Sequence, residues 1–271
     1  MGIEIQIETR NKIFIKMSEG KKEILLGDCL ELMKDIPNGS IDAIITDPPY
    51  GTTQCKWDSV IPFDLMWEQI NRIIKPNGVI VLFGNEPFSS ALRMSNIKRW
   101  RYDWIWEKNK PTNFGNANKM PLKSYEIISV FYNFLPTYNP QGLLDIPEIT
   151  VKRNKNEEPE AYGKTGLIGE FKRNKTNFPR QNLKFGMEGK NVHPTQKPID
   201  LMEYLIKTYT NENEVVLDFT AGSGTTAIAC LKTNRQFIVM EKEQKYYDII
   251  LKRVADFNKN FEPQTLFGNE M

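Results

Sequence analysis

Val215-Val216-Leu217-Asp218-Phe219-Thr220-Ala221-Gly222-Ser223-Gly224-Thr225-Thr226-Ala227-Ile228-Ala229-Cys230 is the stretch on which the fold turns. An apolar run ending at Asp218 and Phe219 reads as a buried strand, and Thr225 to Cys230 opens a helix. Gly222-Ser223-Gly224 lies between them, where glycine lets the backbone turn sharply and approach a ligand. The helix start adds unpaired N–H groups that favour an anionic or polar ligand. Gly222-x-Gly224-x-x-Ala227 satisfies the dinucleotide fingerprint in its Ala form, and Glu241 closes the next strand seventeen residues after Gly224. An acid at that point is placed to accept hydrogen bonds from ribose hydroxyls. A bare strand-to-helix turn is the plainer alternative. The P-loop lysine is absent, which argues against nucleoside-triphosphate chemistry.

Working outward, the same strand-then-helix grammar recurs. Residues 1–17 alternate apolar and polar around Thr9-Arg10-Asn11-Lys12 and predict a peripheral hairpin. Residues 23–28 and 41–47 are continuous apolar runs around a short helix, the mark of parallel strands buried on both faces. Asp64 is expected to cap a helix reaching Lys75, with Pro76-Asn77-Gly78 as its stop, followed by a strand over 78–84. A helix near 87–97 and strands at 102–108 and 124–132 complete that half, where Trp104 and Trp106 read as buried strand aromatics. Order returns at Pro198 with a helix, the glycine-loop unit, a strand over 237–241 and a helix over 243–257. The pattern predicts an α/β fold on a mostly parallel central sheet. Three parts are expected: 1–135, an irregular insert over 136–192, and 193–271.

Composition narrows the chemistry. The chain has 271 residues, 36 basic and 34 acidic, for a net charge of +2, with 40% hydrophobic and 26% charged residues. That is an ordinary globular composition, with no basic excess to point at nucleic acid. The opening MGIEIQIETR lacks a signal-peptide core, and Gln6 stands where a myristoylation motif wants Ser or Thr. No apolar run reaches the roughly 18 residues of a membrane span. Cys29, Cys55 and Cys230 form no CxxC, so a reducing cytoplasm is the expectation. His193 is the only histidine, so multi-histidine metal sites are excluded and no metal is expected.

Asp47-Pro48-Pro49-Tyr50 follows the strand over 41–46 directly. Two prolines make a stiff extended turn, which on its own describes a strand end with a surface tyrosine. A second reading is chemical. The lone pair of an exocyclic amine on a nucleobase is delocalised into the ring. The Asp47 carboxylate and the Pro48 carbonyl, accepting both N–H bonds, would free that lone pair for methylation. Tyr50 would stack on a base taken out of its duplex. Ligands in open parallel sheets bind beyond the carboxyl ends of strands. If the strands ending at Asp47 and Asp218 are neighbours, amine and cofactor meet there.

These motifs together resemble the β class of amino-group DNA methyltransferases, most like the adenine-N6 enzymes. Asp47-Pro48-Pro49-Tyr50 is similar to the catalytic motif of that class, His193-Pro194-Thr195-Gln196-Lys197-Pro198 to its lead-in, and Asp218 through Thr226 to its S-adenosylmethionine loop. The resemblance runs from about residue 23 to about residue 255, with the motifs in the order that defines the class. It implies a Rossmann-like S-adenosylmethionine-dependent fold and direct transfer to adenine in double-stranded DNA after base flipping. It implies cofactor contacts from Asp28, Cys29, Thr195, Gln196, Lys197, Asp218, Phe219, Thr220, Ala221, Gly222, Ser223, Gly224, Thr225, Thr226 and Glu241. Asp28 would face the cofactor's adenine, and Lys197 with Thr195 its methionine carboxylate. Thr220 departs from the class, which usually carries an aromatic at that position.

The insert then gains a meaning as the target-recognition region. Residues 151–190 hold ten basic and five acidic side chains, interleaved with Tyr162, Phe171, Phe178 and Phe185. Lys152, Arg153, Lys172, Arg173, Lys175 and Arg180 are the expected DNA contacts. A solvated surface insert is the plainer reading. A cytosine-N4 enzyme is the nearest alternative, although that group usually begins its motif with Ser rather than Asp. A nicotinamide oxidoreductase would use the glycine loop but leave the tetrapeptide idle. A silent DNA-binding protein would leave the catalytic motif unexplained. A homodimer and a cognate restriction endonuclease are the further partners expected, in a prokaryotic or phage setting.

Overall fold

The computed structural model describes residues 3–7, 13–17, 21–52, 55, 58–153, 169–186 and 196–261. Strands β1 (Ile3–Ile7) and β2 (Ile13–Met17) pair antiparallel, as their alternation predicts. The chain then lays down β3 (Lys22–Leu26), α1 (Cys29–Met33), β4 (Ile41–Thr46), α2 (Phe63–Ile73), β5 (Ile74–Gly84), α3 (Phe88–Ser95), β6 (Trp100–Thr112) and β7 (Lys123–Phe131). Next come β8 (Leu144–Arg153), β9 (Gly169–Thr176), β10 (Asn182–Phe185), α4 (Ile199–Tyr209), β11 (Val215–Asp218), α5 (Thr225–Lys232), β12 (Gln236–Glu241) and α6 (Gln244–Phe261).

Eight of these strands form one sheet in the order β10-β6-β7-β5-β4-β11-β12-β3. All neighbours are parallel except β7, which runs against both β5 and β6. The strands are apolar on both sides because helices cover both faces. Ala43, Ile45, Val79, Val81, Val216, Phe237 and Val239 face α4, α5 and α6 through Leu201, Leu205, Ala227, Ile250 and Val254. The alternate residues Ile44, Ile80, Leu82, Leu217, Ile238 and Met240 face α1, α2 and α3 through Met33, Met66, Ile70 and Leu92. A one-residue slip in any of these strands would exchange the two sets, so the layers fix the register.

Two expectations fail locally. Asp64 does not cap α2. Pro62 occupies the cap at φ −53° and Asp64 lies in the first turn. Proline suits that place because a helix start has no use for its missing N–H. Nor does Pro76-Asn77-Gly78 stop the helix, which ends at Ile73 and passes straight into β5. The tripeptide is absorbed as an irregularity between the pairs Ile41↔Ile74 and Ala43↔Val79. Glycine is required there, because a Cβ on Gly78 would lie 2.7 Å from the Ile74 side chain and 2.9 Å from the Asp42 carbonyl oxygen.

The chain divides into two compact units, Met1–Asn139 with Gln181–Met271, and Pro140–Arg180. The smaller unit holds the antiparallel pair β8–β9, while β10 belongs to the main sheet. No described helix is long and apolar enough to cross a membrane.

Candidate active site

From β11 the chain crosses over α5 to β12 on one side, and from β4 over α2 to β5 on the other. The sheet therefore switches direction between β11 and β4, which are hydrogen-bonded neighbours through Val216↔Ala43 and Leu217↔Ile44. A crevice beyond the strand ends at such a point is the general ligand site of open α/β sheets. Both motifs lie there.

The glycine loop leaves β11 at Asp218, and its backbone is tied down at each step. Ala221 donates its N–H to the Met240 carbonyl at 2.8 Å, and Gly222 donates to Glu241 Oε2 at 2.8 Å. Gly222 and Gly224 adopt positive φ of 54° and 76°. Gly224 is doubly constrained, since it also caps α5 where a Cβ would come within 2.8 Å of Ile250. Arg253 on α6 donates to the Ser223 carbonyl at 2.6 Å and closes the loop from behind.

Asp218 is buried and accepts from Thr46 Oγ1 at 2.6 Å, from Thr226 Oγ1 and from the Thr220 N–H at 3.2 Å. Burial pushes its carboxyl up to about 6, against the pull of those donors. Thr220, the position departing from the expected pattern, joins the two motifs. Its hydroxyl lies 2.7 Å from Thr46 Oγ1 and donates to the Asp47 carbonyl at 3.1 Å. A small hydroxyl-bearing side chain at this position sets the tetrapeptide against the cofactor loop by a hydrogen bond.

Asp47 is engaged on both oxygens, by the Tyr50 hydroxyl on Oδ1 and by the Lys197 ammonium on Oδ2. Lys197 is buried, lies 3.2 Å from Glu126 Oε2, and has its ammonium 5.1 Å from the centre of the Phe83 ring. Glu126 in turn binds Lys108 at 2.6 Å. The result is a chain of alternating charge, Asp47–Lys197–Glu126–Lys108. Burial raises the Asp47 carboxyl, with Lys197 opposing. For Lys197, burial works to lower the ammonium, but Asp47 and Glu126 outweigh it and hold it above its ordinary value. Burial likewise works to raise Glu126, and the two lysines outweigh it, leaving its carboxyl lowered. The Tyr50 ring rests on Phe88, with centroids 5.1 Å apart.

One cavity of about 790 Å³ collects nearly all the expected site residues. Its walls include Asp28, Cys29, all four residues Asp47 to Tyr50, Gln196, Lys197, Asp218 to Ser223, Thr225, Thr226 and Glu241. Gly224 supports the loop without lining the cavity, and His193, Pro194 and Thr195 lie outside the described residues. Asp28 caps α1 by accepting from the Leu30 N–H at 3.0 Å. Glu241 accepts the Gly222 N–H on Oε2 and the Glu243 N–H on Oε1, both at 2.8 Å. Burial raises its carboxyl. Burial and the neighbouring Asp28 push the Cys29 thiol up to about 12, which disfavours the thiolate.

Glu126 and Thr46 are site residues that the motifs alone do not name. The signal for Glu126 is an acid inside the apolar run Tyr125-Glu126-Ile127-Ile128, which a buried strand tolerates only when the charge is paired. Within the smaller unit, Lys152, Lys172 and Lys175 form ion pairs with Glu170, Glu148 and Asp145 across β8–β9. Arg173 and Arg180 are exposed, and the Arg153 side chain lies outside the described set. Exposed pairs of this kind are weak and leave the lysines available to a polyanion.

Residues 41–252 match the DNA methylase family of N6/N4 type. The type II methyltransferase M.BglII of Bacillus subtilis is 30% identical over 267 residues, covering 88% of this chain and 71% of its own length. M.HinfI of Haemophilus influenzae is 29% identical over 271 residues, covering 88% and 69%. Among solved structures, an M1.HpyAVI–SAM complex shares 28% identity at a TM-score of 0.57, covering 85% of this chain and 98% of its own. The cytosine-N4-specific PvuII DNA methyltransferase, at 15% identity and a TM-score of 0.63 over 89% and 92%, shares the fold. With the match spanning more than three quarters of its length, the chain belongs to the N6/N4 DNA methylase family.

Proposed function

We propose that this chain methylates the N6 amino group of adenine in double-stranded DNA, using S-adenosylmethionine and taking the base out of the helix to reach it. The observation that carries the reading is the direct bond from Thr220 in the cofactor loop to the carbonyl of Asp47 in the tetrapeptide. The two motifs that the reading assigns to methyl donor and target amine line one cavity.

The cavity residues fit the cofactor. Its volume lies within the range of pockets that enclose molecules of that size. Glu241 lines the cavity as an acceptor for ribose hydroxyls, and Asp28 lines the same wall. When bound, S-adenosylmethionine supplies an electrophilic methyl group on a sulfonium. The protein's work is on the amine. An entering amino group displaces the Tyr50 hydroxyl from Asp47 Oδ1 and donates one N–H there, and its second N–H goes to the Pro48 carbonyl. Both bonds draw the nitrogen toward tetrahedral geometry and localise its lone pair. Lys197 opposes the burial that raises the Asp47 carboxyl and so favours its ionised, stronger-accepting form. Tyr50, released, covers the face of the base.

The basic unit Pro140–Arg180 is read as the DNA-recognition part, with Lys152, Arg153, Lys172, Arg173, Lys175 and Arg180 on phosphates. We read the protein as acting on DNA inside a prokaryotic or phage-infected cell, as a homodimer or beside a cognate endonuclease. Expression in a host lacking DNA methylation, followed by nucleoside mass spectrometry and sequencing of modified bases, tests the central reading. N6-methyladenine present with the native chain and lost with Asp47→Ala is the expected result. N4-methylcytosine in its place would assign the cytosine reaction, and unmodified DNA would refute methyl transfer.

A further inference from the structure

Between Glu107 and Glu126 the chain carries four lysines, Lys108, Lys110, Lys119 and Lys123, and no acid. Lys108 is held by Glu126, whereas Lys110, Lys119 and Lys123 are exposed and have no ion pair among the described residues. The segment joins β6 to β7 at the rim of the cavity. The strands pair as far as Glu107↔Tyr125, and beyond an irregularity only Thr112↔Lys123 pairs. Lys110, Thr112 and Lys123 stand in the same cavity wall as Asp47 and Tyr50. At the tip, a single 3₁₀ turn, Phe114–Asn116, follows Asn113 at φ 74° and is braced by a bond of 2.8 Å from Asn116 Nδ2 to Asn113 Oδ1. That turn presents Phe114, which is 66% exposed, beside Met120 at 51%.

A braced turn that holds a phenylalanine in water, among lysines with no acid opposite them, is a poor core element and a poor match for a neutral protein surface. It matches a polyanion with stacked aromatic faces. We propose that residues 109–123 form a DNA-contacting loop. Lys110, Lys119 and Lys123 lie on backbone phosphates flanking the target, and Phe114 enters the base stack beside the extruded base. This rests on the methyl-transfer reading of the cavity, and it adds a nucleic-acid site outside the basic unit at 140–180.

The test uses the full-length chain and a duplex bearing the sequence it is found to methylate. Lys110→Gln, Lys119→Gln and Lys123→Gln combined should flatten the fall of log affinity with log salt by about 0.9 for each phosphate no longer neutralised. Phe114→Ala should slow methylation of the paired duplex roughly 5- to 150-fold, the range of lost stacking on one base. With an abasic site opposite the target, extrusion is easier, and the Phe114→Ala defect should shrink to about twofold or less. Thermal unfolding checks that both variants keep the fold. If the native chain methylates DNA and both variants match it in salt slope and rate, the loop assignment is overturned and methyl transfer stands. A changed sedimentation state with an unchanged salt slope would instead make the loop an interface between copies of the chain. If the native chain methylates no DNA, the underlying reading fails and this one with it.

Discussion

Lys197→Met separates an electrostatic role for the buried lysine from a merely structural one. Methionine preserves an unbranched apolar stem beside Phe83 and deletes the ammonium. The Lys197 and Glu126 side chains are 7% and 9% exposed, so water screens them little. At 3.2 Å and an effective dielectric constant of about 20, that pair alone attracts by about 5 kcal/mol before desolvation is subtracted. Net of that offset, breaking a buried pair by removing one partner costs about 3–5 kcal/mol. Glu126 keeps Lys108, but Asp47 is left with no ion-pair partner among the described residues, and its carboxyl, already raised by burial, rises further. Two pH trends of opposite sign follow. A protonated Asp47 is a much weaker acceptor for the amino N–H than the carboxylate, so transfer falls in acid and recovers as pH rises. Stability runs the other way. A carboxyl raised above its unfolded value stabilises the fold below that value, and the contribution is lost as pH rises through the folded one. The variant, relative to the native chain, should be most stable where it is least active. Methyl incorporation into plasmid DNA and urea unfolding, each followed from about pH 5.5 to about pH 9, measure both trends. A loss of activity uniform at every pH, with a pH-independent stability difference, would refute the reasoning.

The other expectations concern the loop and the basic unit. Thr220→Ala removes the hydroxyl that ties Asp47 to the cofactor loop and should lower kcat by about 10- to 100-fold through misplacement, read by steady-state kinetics. Thr226→Val deletes a donor to the Asp218 carboxylate and should cost about 1.5–3 kcal/mol. Burial holds the native Asp218 carboxyl up at about 6 and losing the donor raises it further, so in denaturant unfolding the cost should grow as pH rises through about 6 and be complete only above the variant's own higher value. Gly224→Ala meets both a left-handed backbone, about 1–2 kcal/mol, and the Ile250 side chain, about 1–3 kcal/mol. An unchanged melting temperature would contradict both effects. Combined Lys172→Gln, Arg173→Gln and Lys175→Gln should weaken DNA binding and reduce its salt slope by about 0.9 per phosphate; an unchanged slope removes those residues from the interface.

What the chain spells out locally is what one strand or one loop decides for itself. Continuous apolar runs such as Val79 to Phe83 announce burial on both faces, and Gly224 announces a turn that only glycine can make. Adjacency is another matter. That β11 lies beside β4 depends on which helices cross which face, and no residue in either strand encodes it alone. The start of α2 is misleading in sequence because an acid near a helix start suggests a cap, whereas Pro62 is already conformed for that place. The pair β8–β9 is hidden for a different reason. Lys152, Lys172 and Lys175 meet their acids across the two strands, so charge pairing takes the place of the apolar alternation by which a strand is recognised.

Charge shows the same division most sharply. Lys108 and Glu126 are eighteen residues apart, and Lys197 is seventy-one beyond Glu126, so no window on the sequence contains the cluster. Once folded, two lysines and two acids cancel inside the cavity, and whole-chain charge carries no trace of them. The lysines at 110, 119 and 123 have no acid between Glu107 and Glu126 to offset them, and Lys110 and Lys123 line the cavity wall. A net charge of +2 is therefore compatible with an active site neutralised by pairing and an uncompensated positive edge beside it.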